Sequence, residues 1–204
     1  MKLNPVELAL INNPLRDLLL RSTLAWLHDA ACAPIVGRAL EIGCGQGAAL
    51  EEIARRFRPR ALDAFDLDEK QVARARRRLA ARGWDGRGFV WVGDAERIAA
   101  EDGRYEAVFE LAILHHVPDW RRAISEIRRV LAPGGRFLFE ELSAEFFTDT
   151  SLLGMLLRRF TVHPYDTMFD FPAFRRALDG EGLRLVALRS HLVPGWHRGV
   201  AVRD

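Results

Sequence analysis

The sequence predicts an α/β fold with a mixed sheet, parallel through its first strands. Three observations carry that expectation. Short apolar runs alternate with amphipathic stretches from residue 38 to residue 141, the pattern of right-handed βαβ crossovers. A glycine-rich turn, Gly43-Cys44-Gly45-Gln46-Gly47, joins the first of those runs to the stretch that follows it. Near the C-terminus two strand-like runs, Leu183 to Leu192 and Trp196 to Val202, are joined across Pro194-Gly195, too close for a helical crossover. They read as an antiparallel hairpin that finishes the sheet.

The elements follow in order. Pro14 to Ala33 carries Leu15, Leu18, Leu19, Leu24, Trp26 and Leu27 at helical spacing, and Pro34 ends it. Arg38 to Ile42 is a short apolar run entering the glycines, a buried strand. Ala48 to Phe57 places Leu50, Ile53, Ala54 and Phe57 on one helical face. Arg60 to Asp66 reads as a second strand, and Glu69 to Arg82 as a helix with Val72, Ala75 and Leu79 inward. Gly88 to Val92, closed by Gly93-Asp94, is a third strand, and Tyr105 to Leu111 a fourth. A helix from Pro118 to Leu131 has proline in its first turn, where a missing N–H costs nothing, and turns Ala123, Ile127 and Val130 inward. Pro133-Gly134-Gly135 is expected to stop it and lead into a fifth strand, Arg136 to Glu141.

At 204 residues the chain suits one domain, residues 1–204. Apolar residues make up 49% and charged residues 28%, which excludes a disordered chain. No apolar run approaches the roughly 20 residues of a membrane span. Met1-Lys2-Leu3-Asn4-Pro5 lacks a charged region leading into an apolar one, so no secretory signal and a cytoplasmic location are expected. The two cysteines, Cys32 and Cys44, make neither a disulfide framework nor a four-ligand zinc site, and no metal is expected. Formal charge is +2, and apart from Lys2 and Lys70 the side-chain cations are arginines. The cluster Arg74, Arg76, Arg77 and Arg78 reads as a solvated helix face. A balance so near zero does not point to nucleic acid as the partner.

The alternate glycines remove every Cβ that would keep a ligand from the backbone, and they free the first amides of the following helix as donors. Gly43, Gly45 and Ala48 satisfy G-x-G-x-x-G/A. Asp66 lies about 20 residues further on, where a carboxylate at a strand end accepts both hydroxyls of a ribose. That spacing serves a nicotinamide dinucleotide and any adenosine ligand equally. Cys44 reads as a small loop residue, since no base stands near it in sequence to make it a nucleophile.

A longer series narrows the choice. Glu41-Ile-Gly-Cys-Gly-Gln-Gly, Phe65-Asp-Leu-Asp, Val92-Gly-Asp-Ala, Tyr105-Glu-Ala-Val-Phe-Glu-Leu, Leu114-His-His-Val-Pro and Leu131-Ala-Pro-Gly-Gly occur in that order. Together, over residues 36–142 and in outline at the terminal hairpin, they resemble the class I S-adenosylmethionine-dependent methyltransferases, in particular the small-molecule group with a Leu-His-His element. The resemblance implies a Rossmann-like sheet of seven strands in the order 3-2-1-4-5-7-6, its last strand antiparallel, with helices on both faces. It implies S-adenosyl-L-methionine as cofactor. The Gly43, Cys44, Gly45 and Gly47 backbone would pass under the methionine and ribose. Glu41 would orient the loop or receive the ammonium. Asp66 would hold the ribose diol and Leu67 would pack on adenine. Asp94 would accept from the adenine amine, the Ala95 N–H would donate to a ring nitrogen, and Glu110 and Leu111 would line the methionine end. For Glu110 a structural and a functional role suit the sequence equally.

Methyl transfer from a sulfonium needs alignment above all, and a base only where the acceptor arrives protonated. His115 is the candidate for that base, with His116 beside it. Residues 1–35 would form a helical cap and residues 143–180 a lid and acceptor segment. That segment holds Phe146, Phe147, Met155, Phe160, His163, Tyr165, Met168, Phe169 and Phe171. Some of these belong to the core, and their density favours a small apolar or aromatic acceptor. An acceptor on RNA, protein or a lipid quinone is the alternative. A nicotinamide-dependent reductase is disfavoured, because neither Tyr105 nor Tyr165 has a lysine four positions on. After the fourth strand, Glu110-Leu-Ala-Ile-Leu has no Asn-Pro-Pro-Tyr-like element, and no Pro-Cys nucleophile is present.

Overall fold

The computed structural model describes residues 14–31, 33–81, 83, 87–147 and 165–204. Seven strands, β1 (Arg38–Ile42), β2 (Ala61–Asp66), β3 (Val90–Val92), β4 (Tyr105–Leu111), β5 (Leu131–Leu142), β6 (Leu183–Ser190) and β7 (Trp196–Arg203), form one sheet in the order β3-β2-β1-β4-β5-β7-β6. The pairs from β3 through β5 are parallel, and β7 runs antiparallel to both β5 and β6. The expected order and the terminal hairpin are both found. Among the described residues five α-helices accompany the sheet: α1 (Pro14–Ala30), α2 (Ala48–Phe57), α3 (Glu69–Ala81), α4 (Trp120–Val130) and α5 (Phe171–Gly180).

Successive strand side chains point to opposite faces, and the buried residues sort accordingly. Leu40, Ile42, Val108, Phe137, Phe139 and Ala201 face a cluster completed by Ile124, Ile127 and Val130 of α4 and Phe174 and Leu178 of α5. Ala39, Ala107, Phe109, Leu138 and Val200 face the opposite cluster, with Leu24 and Leu27 of α1, Leu50 and Ile53 of α2 and Leu79 of α3. Burial on both faces explains why the strands read as continuous apolar runs.

Two boundaries differ from expectation for physical reasons. Pro118 lies outside α4: Asp119 is its N-cap, with the side chain accepting from the Arg122 N–H at 3.0 Å. Pro133-Gly134-Gly135 does not stop that helix either. The chain is already extended at Leu131, which pairs with Tyr105, and the register shifts before Ala107 pairs with Arg136. The proline and glycines therefore sit in an irregular lead-in to β5. Strand β3 starts at Val90 and not at Gly88, while β7 runs one residue longer, to Arg203.

Helix α1 is tied down at both ends. Just past its C-terminal end the Arg136 guanidinium donates to the carbonyls of Ala31 at 3.1 Å, Ala33 at 2.5 Å and Pro34 at 2.9 Å, which fixes the chain leaving the helix. Further along, Glu140 of β5 is buried beneath α1, where it meets Arg16 at 2.8 Å, Arg198 at 3.0 Å and the Thr23 hydroxyl. Met155, Phe160 and His163 lie outside the described residues. Phe169 and Phe174 belong to the core. Among the described residues no helix is long and apolar enough to cross a membrane.

Candidate functional site

The order of strands reverses between β1 and β4, and in open α/β sheets ligands bind beyond the carboxyl ends of strands at such a point. The glycine loop leaves β1 there. Gly43, Gly45 and Gly47 have φ of 69°, 52° and 85°, the left-handed region. A Cβ on Gly43 would stand 2.5 Å from the Ile113 side chain, and one on Gly47 would crowd Ala75 at 3.2 Å. Above Gly45 nothing lies within 4 Å of that position. Two glycines thus permit close packing of the loop, and the middle one opens onto free space.

Asp66, at the end of β2, holds this loop. Its Oδ2 accepts the Gly45 N–H at 2.8 Å and its Oδ1 the Asp68 N–H at 2.8 Å. Burial raises the Asp66 carboxyl above its ordinary range, and those N–H groups partly offset the rise. Glu41 lies behind the loop, 2% exposed, and among the described residues no donor meets its Oε2. Burial, and then the charge of Asp66, push Glu41 up to about 8. Burial first, then the same two carboxylates, raise the Cys44 thiol, so it is an inert small residue.

Leu67, next to Asp66, is 40% exposed. The Gly93 N–H donates to the Asp66 carbonyl at 3.0 Å, which brings the turn after β3 against the end of β2. In that turn Asp94 is exposed, with its Oδ1 on the Glu96 N–H at 3.0 Å, and Ala95 is buried. Leu111 packs into the cluster under α1 and α2. The glycine loop, Glu41, Asp66, Leu67, Asp94 and Ala95 therefore occupy one rim, at the ends of β1 to β3.

Glu110 takes part in a different group. It is fully buried, and its Oε1 accepts the N–H groups of Ile113 at 2.5 Å and Leu114 at 3.4 Å. Ala112, between the strand and this turn, has φ of 66°, a strained conformation for a residue with a Cβ. The turn Leu114–His116 that follows places His115, only 3% exposed, with its Nδ1 on Glu141 Oε1. Glu141 also accepts the N–H groups of Leu114 at 2.8 Å and Leu142 at 2.7 Å. Beyond His115 lie the rings of His116 at 4.2 Å and Phe147 at 6.1 Å, and Tyr165 stands 5.9 Å past Phe147.

Sequence reading missed Glu141. The signal was its parity: in Glu140-Glu141 one glutamate must face α1, and the other must face the turn that carries the histidines. Nothing in sequence spacing said that a partner of His115 would come from the neighbouring strand.

A family model described as a methyltransferase domain matches residues 40–139. Among curated proteins, a fatty-acid O-methyltransferase of Mycolicibacterium smegmatis is 35% identical over 127 residues, covering 61% of this chain and 45% of that protein. A ubiquinone/menaquinone biosynthesis C-methyltransferase of Geobacter sulfurreducens is 29% identical over 171 residues, 75% of this chain and 67% of its own. The chain spans less than half the length of the fatty-acid enzyme and of the mycobacterial phthiotriol methyltransferases it also matches. Among solved structures, an S-adenosylmethionine-dependent methyltransferase of Aquifex aeolicus superposes with a TM-score of 0.76 at 16% identity, covering 100% of both chains. Geranyl diphosphate C-methyltransferase of Streptomyces coelicolor does so with 0.73 at 18% identity, over 90% of this chain and 79% of that one. The match of residues 40–139 to a methyltransferase domain and the strand order β3-β2-β1-β4-β5-β7-β6 support a class I S-adenosylmethionine-dependent methyltransferase.

Proposed function

We propose that the protein transfers a methyl group from S-adenosylmethionine to a small apolar or aromatic acceptor. The observation that carries this is the rim at β1 and β2: an open glycine backbone, the Asp66 carboxylate against it, and a buried Glu41 oxygen with no donor. These residues fit the cofactor's chemistry. Each Asp66 oxygen takes one backbone N–H, and a carboxylate oxygen has a further lone pair for a ribose hydroxyl. The buried acid Glu41 suits an ammonium, directly or through water. Leu67 offers an exposed apolar face to adenine, with Asp94 for its amine and the Ala95 N–H for a ring nitrogen. Glu110 and Leu111 close the methionine end.

When bound, S-adenosylmethionine supplies an electrophilic methyl on a positively charged sulfur. The chain's own contribution is alignment of the two reactants and exclusion of water. His115 receives the proton of an acceptor that arrives protonated. The acceptor lies against His115, Phe147 and Tyr165; much of the expected lid and cap, residues 148–164 and 1–13, lies outside the described residues. Apolar acceptors are supported by the aromatic chain from His115 to Tyr165 and by relatives named for fatty-acid and quinone methylation. We place the protein in the cytoplasm, consistent with Cys44 as a buried free thiol.

The reading is tested by incubating the protein with methyl-labelled S-adenosylmethionine and cell extract, then partitioning the products. Label in small organic-soluble molecules is expected. Label confined to RNA or to protein would move the acceptor to a macromolecule.

A further inference from the structure

Glu110 and Glu141 end neighbouring strands on the same face of the sheet, and their carboxyls lie within hydrogen-bonding reach of each other. Both are out of water, at 0% and 1% exposure, and among the described residues no arginine or lysine pairs with either. Among the described residues Glu110 Oε2 meets no N–H or hydroxyl donor, so the hydrogen bond between the acids needs a proton that one of them keeps. Burial raises both groups. The charge of Glu141 adds to the rise at Glu110, and backbone N–H groups moderate it on both sides, from Ile113 and Leu114 at Glu110 and from Leu142, Leu114 and His115 at Glu141, where the hydrogen bond to Glu110 also lowers it. The pair thus keeps one proton between its two carboxyls, beside the His115 ring that Glu141 holds. Among the described residues the imidazole bonded to Glu141 is that of His115.

We propose that Glu141 is a positioning residue for the transfer: it holds His115 by Nδ1 so that Nε2 takes the proton of a neutral hydroxyl or amine acceptor, while Glu110 and Glu141 share one proton between them. The inference rests on the transferase reading above and adds the acceptor's chemical class. In the step, the acceptor's O–H or N–H bond breaks and its proton goes to Nε2. The electron pair left on the heteroatom forms the bond to the methyl carbon, and the bond from that carbon to sulfur breaks with both electrons left on sulfur. An acceptor that arrives as a carboxylate has no proton to give, and it meets the charge of the acid pair from the outset.

Glu141 also accepts backbone N–H groups of Leu114, His115 and Leu142, so loss of activity on substitution would not separate positioning from support of the turn. The direct test is ¹⁵N nuclear magnetic resonance of ring-labelled histidine in the ligand-free protein across pH. Wild type, Glu141→Gln and Glu110→Gln are compared, and His115→Gln assigns the signal. In wild type the His115 ring is expected as one fixed tautomer with the proton on Nδ1. Its titration midpoint falls by about one pH unit or more in Glu141→Gln, which removes the adjacent charge. The midpoint stays close to wild type in Glu110→Gln, whose amide donates to Glu141 in place of the shared proton. Unchanged signals from the other histidines report an intact fold. A His115 ring averaged between tautomers in wild type overturns the proposal without any variant, as does an unmoved midpoint in a folded Glu141→Gln. Calorimetric titration of S-adenosylhomocysteine into the wild-type sample separates the two readings. Absence of binding there would sink the transferase reading and leave the measurement on His115 standing.

Discussion

At the end of β2 the Asp66 carboxylate already accepts N–H groups from Gly45 and Asp68, so its replacement acts on the loop and on the ligand together. Asp66→Ala leaves those donors and a ribose diol without an acceptor. A hydrogen bond to a charged group is worth about 1.5–3 kcal/mol, so cofactor affinity should fall roughly 10- to 100-fold by calorimetry. Asp66→Asn, which keeps one acceptor oxygen, should lose less. Glu41 behaves in the opposite sense in the free protein. Its pKa is raised from 4.5 to about 8, so the folded state binds the proton more tightly than the unfolded chain. Stability is therefore lost as pH climbs between those values and changes little outside them. Glu41→Gln should match wild type in thermal unfolding near pH 4.5 and be more stable at pH 8, by on the order of 3 kcal/mol. The same variant should bind the cofactor less well. Asp66 and the glycines were legible because chemistry and strand position coincide in sequence. The orphan oxygen of Glu41 was not, because burial is a property of the packed sheet.

Helix α1 owes its place to one buried glutamate as much as to its leucines. Burial would raise Glu140, but Arg16, the Thr23 hydroxyl and Arg198 together hold it below the ordinary glutamate range. A depressed carboxylate stabilises the fold above its unfolded value and loses that contribution as pH falls through its folded one. Glu140→Gln should cost about 3–5 kcal/mol in denaturant unfolding at pH 7, because Arg16 and Arg198 lose their counter-charge. The deficit should shrink below pH 4. Leu24→Ala and Leu27→Ala, fully buried on the same helix, should each cost about 2–5 kcal/mol. The sequence pattern found this helix from its apolar spacing but missed its ionic tie, since Arg16 and Glu140 stand 124 residues apart. Pro118 and Pro133-Gly134-Gly135 misled for a related reason. A proline or glycine marks a break in local structure, but the Asp119 cap and the pairing of Leu131 with Tyr105 decide where α4 begins and ends.

Across the whole molecule, alternation of strand and helix and the single hairpin were enough to specify a mixed sheet, and the resemblance supplied its order. The order matters because its reversal at β1 and β4 is where loops from several strands meet. One side carries the glycine loop with Asp66 and Glu41, and the other carries Glu110, Glu141 and His115. Two groups of acids at one end of the sheet fit a ligand with positive charge and a partner that gives up a proton. Binding to the folded state alone stabilises by mass action, so a saturating cofactor at about 100 times its dissociation constant should add about 2.7 kcal/mol and raise the thermal midpoint.

The account's central claim is that the glycine loop and Asp66 bind a sulfur cofactor and not a nicotinamide. The most direct measurement is calorimetric titration of S-adenosylmethionine, S-adenosylhomocysteine and NADH into the purified protein. Saturable binding of both sulfur compounds, with no heat from NADH, is the predicted result. Binding of NADH alone would contradict it.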